Sequence, residues 1–67
     1  MKYFLVNWIR GRMYFANLDD GHVQWSTTAS RLDTELRLTR GGTKLSYSSA
    51  RRLMHTFVGG QLEIVQA

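Results

Sequence analysis

The chain has no cysteine and no proline. Without thiols neither a disulfide framework nor a thiolate metal site is available, so whatever holds the chain together comes from packing or from a partner. Without proline or a Ser/Gly-rich tract there is no linker signature, and no internal repeat is present. Sixty-seven residues are therefore expected to form a single domain, spanning 1–67. No apolar run approaches the ~20 residues that cross a bilayer. The opening Tyr3-Phe4-Leu5-Val6-Asn7-Trp8-Ile9 is interrupted by Asn7 and Trp8, and no small-residue cleavage site follows it. A soluble, cytoplasmic protein without a membrane partner is expected.

Acidic residues are also scarce, five against nine basic ones, of which seven are arginine, giving a net charge of +4. That balance admits an acidic protein partner or a nucleic acid, although small soluble domains commonly carry a charge of about this size for solubility alone.

Ser48 to Val58 carries the clearest periodicity. Ala50, Leu53, Met54, Phe57 and Val58 recur at helical spacing, Arg51, Arg52 and His55 fall on the opposite side, Ser48 offers a cap, and Gly59-Gly60 offers a left-handed exit. Before it, Tyr3 to Ile9 is apolar on both alternating sets and reads as a strand covered on two faces. Arg10-Gly11 has the spacing of a tight hairpin into Arg12–Leu18, and Asp19-Asp20-Gly21 is a second turn into His22–Thr27, where Val23 and Trp25 share one face. Residues 29–40 fit a strand or a helix. A strand is preferred, because Leu45 and Tyr47 alternate after Gly41-Gly42 as a return strand would. Leu62 and Ile64 mark a last strand. The expected fold is α+β: a small antiparallel sheet (β-β-β, then a β-hairpin) with one principal helix, about 48–58, and a C-terminal strand.

Catalytic chemistry finds little support. Asp19, Asp20 and His22 read as a turn followed by an outward strand residue. Asp33 and Glu35 alternate with Arg31 and Arg37, as a solvated surface does, and two histidines are too few for a metal cluster. Gly59-Gly60 follows a helix, where a phosphate cradle precedes one. No enzyme activity, cofactor or metal is expected.

Binding is better supported. Arg10 and Arg12 flank the first hairpin tip, Arg40 and Lys44 flank the tip at Gly41-Gly42, and Arg51 and Arg52 occupy the outer helix face. These six cations, with Trp8, are the candidate partner-binding residues, since arginine and tryptophan anchor interfaces. A partner protein would be met by bidentate pairing with its carboxylates. If the basic groups converge, they also form a nucleic-acid surface with Tyr3, Tyr14 or Tyr47 for stacking, although no RNP or helix-turn-helix signature occurs. A first strand apolar on both faces also allows a homodimer.

The run Asp19-Asp20-Gly21-His22-Val23-Gln24-Trp25-Ser26-Thr27-Thr28 resembles the Asp-Asp-Val-Gln-Trp-Ala-Thr-Thr segment of the small antitoxins by which T4-type phages disarm a host endoribonuclease toxin. The order of strands, helix and final strand is similar too. Gly21-His22 is an insertion relative to that segment, and Leu32 to Tyr47 departs from it, because that family continues directly into its helix. The resemblance implies a phage or mobile-element accessory protein, antitoxin-like or anti-CRISPR-like, that inhibits a host defence or nucleic-acid-processing factor, a protein or ribonucleoprotein, by steric occlusion. It also implies a role for the strand around Trp25. The alternative is a basic nucleic-acid-binding module using the arginine-bearing tips and the exposed helix face.

Overall fold

A computed structural model describes residues 1–26 and 42–67, so the 29–40 stretch lies outside the described residues. Within them the chain is α+β. Four strands, β1 (Tyr3–Ile9), β2 (Arg12–Asp19), β3 (His22–Ser26) and β4 (Leu62–Gln66), form an antiparallel sheet in the order β3-β2-β1-β4, and one helix, α1 (Tyr47–Met54), precedes β4.

Two tight hairpins build the first three strands. At each, both turn residues have positive φ, Arg10 (53°) with Gly11 (77°) and Asp20 (54°) with Gly21 (80°). This mirror-image turn has a backbone twist that matches the twist of the strands it joins. Asp tolerates that region through local hydrogen bonding, whereas Arg gains nothing comparable there. Pairing Val6 with Phe15 and Trp8 with Met13 sets Phe4, Val6 and Trp8 on one face, and Tyr3, Leu5, Asn7 and Ile9 on the other.

Helix α1 covers the second of these faces, against β1 and β4. Ala50 and Leu5 are fully buried there, and Tyr47 sets its ring edge-on to Tyr3, with centroids 5.2 Å apart. Helical spacing thus finds its sheet, but the ends of α1 differ from expectation. Ser46, not Ser48, is the N-cap, and its Oγ accepts from Ser49 N at 3.2 Å. Tyr47 must already be helical to reach Tyr3. The helix closes at Met54 because the Thr56 hydroxyl takes the Leu53 carbonyl at 2.7 Å, while Thr56 N and Phe57 N make shorter, i−3 bonds. The chain then leaves the helix axis so that Phe57 meets Trp25 at 5.5 Å. Val58, expected in the buried stripe, is fully solvent-exposed as a result.

The return strand expected over Lys44–Tyr47 contracts to a single bridge. Below Val6 and Phe15 the first two strands part, and residues 43–45 fill the gap. Tyr3 N donates to Leu45 O at 2.7 Å and Leu45 N to Tyr3 O at 2.8 Å, while Thr43 N donates to Ala16 O at 3.0 Å. Leu18 N donates to Thr43 Oγ1 at 2.8 Å. A strand forced apart mid-sheet would leave unpaired amides, and this wedge satisfies them.

On the sheet face opposite α1, Val6 and Phe15 are buried, with Phe4 edge-on to Phe15 at 5.3 Å. Asn17 is buried beside them. Its amide nitrogen donates to Ser26 Oγ (2.8 Å), Phe15 O (3.2 Å) and Gln24 O (3.4 Å), which ties β2 to β3 through a side chain. No described buried side-chain polar atom lacks a partner.

Candidate interaction surface

The predicted contact residues fall in three places. Arg10 and Arg12 sit at the β1–β2 hairpin tip, both exposed, with Arg12 on the α1 side of the sheet through its pairing with Ile9. Lys44, Arg51 and Arg52 belong to the wedge and to the helix. Trp8 projects from the opposite face. It is 37% exposed and donates its indole N–H to Glu63 Oε1 at 3.0 Å, so the structure does not bring it onto the arginine side. Arg40 lies outside the described residues.

Adjacent in sequence, Arg51 and Arg52 are not neighbours in action. Successive helical residues point about 100° apart, and Ala50 faces the sheet. Arg51 is therefore directed, like Tyr47 one turn before it, to the side of α1 away from Ser49, Leu53 and Thr56. Arg52 is directed toward β2, where it lines a groove of 360 Å³ with Leu18, Leu45, Ser49, Leu53 and Thr56. Both also lie in the last helical turn, where a cation opposes the negative end of the helix dipole and stabilises it by roughly 0.3–1 kcal/mol.

The groove is a product of the wedge. Leu45 forms part of its wall only because the bridge to Tyr3 holds it between β1 and β2, and Leu18 forms the facing wall from the end of β2. Neither residue was singled out as a site from the sequence, where Leu18 reads as an ordinary strand residue. No sequence signal marks it; only in the fold does Leu18 stand out, as a large apolar side chain 37% exposed.

Basic groups do not converge on one spot. The tip and the groove lie at opposite ends of β1, six residue steps of about 3.3 Å, or about 20 Å, apart. Among the described residues, no carboxylate pairs with Arg10, Arg12, Lys44, Arg51 or Arg52.

Of the residues weighed for catalysis, Asp33 and Glu35 lie outside the described residues. Asp19 and His22 are an exposed cross-strand pair flanking the turn, and His55 is the helix C-cap, its backbone N–H bonded to Arg51 O at 3.1 Å. No group of three or more His, Asp or Glu among the described residues could hold a metal ion. No described helix is long and apolar enough to cross a membrane. Trp25 is half-buried on the α1 side, where it anchors the chain leaving the helix.

What the fold and surface define is a small α+β protein with exposed arginines and an apolar groove. No protein-family model, curated protein or solved structure gives a significant match to the chain.

Proposed function

We propose that this chain is a non-catalytic binding protein, a phage or mobile-element inhibitor that occludes the surface of a host defence or nucleic-acid-processing factor. The observation that carries the reading is Arg10. It is held at φ 53°, where an L-residue without local side-chain bonding costs roughly 1–2 kcal/mol, and it is exposed with no carboxylate partner among the described residues. Strain of this kind at a turn tip, where Asn would sit more easily, supports selection for what the guanidinium touches outside the molecule. Arg12 and Arg52 extend that contact along the α1 side, and Lys44 adds an exposed cation on the wedge. A standard interface of ~800 Å² per partner is wide enough to include both the tip and the groove end.

The test pairs stability with binding. Arg10→Asn should raise the thermal midpoint, by ~0.5–1 kcal/mol in stability, and should lower recovery of the partner captured by the tagged wild-type chain from host extract. The double variant Arg51→Ala, Arg52→Ala should stay folded and lose the partner. Full partner recovery by both would refute the reading.

Unpaired cations at two ends, with a pI of ≈ 10.1, also support the second reading, a basic nucleic-acid-binding module. Phosphate binding should weaken by roughly three to five orders between 50 and 200 mM salt for 6–10 contacts. Absence of retention on DNA and RNA at low salt excludes it.

A further inference from the structure

Resting on the binding role proposed above, we infer that the groove between α1 and the end of β2 receives an apolar side chain from an acidic segment of the partner protein, with Arg52 pairing to the adjacent carboxylate.

The chemistry of the lining selects that occupant. Leu18, Leu45 and Leu53 supply the apolar walls of a shallow, solvent-open groove whose 360 Å³ lies at the small end of the ~300–1,000 Å³ range of ligand pockets, room for one large side chain. Of the two rim hydroxyls, only that of Ser49 keeps a proton to donate. Thr56 Oγ1 donates to Leu53 O at 2.7 Å, and Ser49 Oγ accepts from Ser46 Oγ at 3.0 Å. Among the described residues Arg52 is the charged rim group that can orient a ligand. It has no carboxylate partner among the described residues, and no described acidic residue lines the groove, so a carboxylate is the complementary occupant. A nucleobase fits less well, because no aromatic ring lines the groove to stack on it. Burial of an aliphatic or aromatic anchor beside a charge-assisted fork is the arrangement of an interface hot spot.

The probe is a synthetic nine-residue peptide with a central Leu-Phe pair flanked by Asp and Glu, compared with the same peptide carrying Lys at each acidic position. Both are titrated into the full-length isotope-labelled chain and followed by NMR. The methyl signals of Leu18, Leu45 and Leu53 and the Nε–H of Arg52 should shift together and saturate with the acidic peptide, and the Lys peptide should bind at least ten-fold more weakly. Arg52→Glu should remove that preference, and Leu18→Lys should abolish the methyl shifts, with the spectral dispersion of each variant showing that it is folded. Shifts centred on Arg10 and Arg12 with the groove methyls unmoved would overturn the groove assignment and leave the binding role standing. An equal response to the two peptides, no saturable response, or preferential movement of the groove signals by a DNA or RNA oligonucleotide would each overturn the inference. Loss of the captured partner in the arginine variants reports separately on the role itself.

Discussion

Gly42 is the residue whose replacement most directly tests how the groove is built. A β-carbon there would overlap the Ala16 carbonyl oxygen and lie 3.0 Å from the Ala16 carbonyl carbon and 3.1 Å from Phe15 Cβ. The obstacle is backbone of a central strand, so the segment carrying Gly42 has to retreat. Retreat breaks Thr43 N to Ala16 O (3.0 Å) and Leu18 N to Thr43 Oγ1 (2.8 Å). Each such bond contributes about 0.5–1.5 kcal/mol net, so Gly42→Ala should cost about 1–3 kcal/mol. A domain of this size has a total stability of only ~3–10 kcal/mol, and each kcal/mol moves the midpoint by about 4–8 °C. Thermal unfolding followed by circular dichroism should therefore fall by on the order of 10 °C. Amide exchange at Leu18 and Thr43 should speed up by more than at Val6. Gly11→Ala is the control: nothing lies within 4 Å of its β-carbon position, so its cost is that of φ 77° alone. A Gly42→Ala protein within ~0.5 kcal/mol of wild type, with Leu18 and Thr43 still protected, would refute the wedge as the source of the groove wall.

Two other substitutions probe the supports of the site. Asn17→Asp would set a buried carboxylate against Phe15 O, Gln24 O and Ser26 Oγ in place of a donor. Burial raises the folded-state pKa of such a group above ~3.9, so the variant should be closest to wild type at low pH and lose stability as pH rises through and above that value; a pH-independent difference in midpoint would contradict this account. Ser46→Ala should cost about 1 kcal/mol through loss of the cap to Ser49 N, whereas Ser48→Ala should be near neutral. Equal costs, measured by denaturant titration, would return the cap to Ser48.

Much of the fold is legible along the chain because it rests on local physics. Arg10-Gly11 and Asp20-Gly21 specify two tight turns, Val23 and Trp25 alternate, and Ala50, Leu53 and Met54 repeat at helical spacing. The helix boundaries are set by one tertiary contact and one local hydrogen bond that periodicity does not report. Ser46 and Ser48 are equally good caps in sequence, and the Tyr3–Tyr47 contact decides between them. Thr56 is an unremarkable residue until its hydroxyl takes the Leu53 carbonyl, and with the helix closed there Val58 loses its place in the stripe. The exposed arginines were legible as candidates because long charged side chains are seldom buried without a partner.

From the sequence alone came the α+β class, the two hairpins, the amphipathic helix and the arginine candidates, since each depends on neighbours a few positions apart. Only the tertiary structure decided that the last strand lies beside the first, that residues 43–45 part β1 from β2, and that Arg51 and Arg52 serve opposite flanks. The groove joins Leu18, Leu45 and Leu53 from three separate elements, and no local pattern encodes contacts between residues so far apart in the chain. They meet because the sheet must satisfy the amides left where its two longest strands diverge.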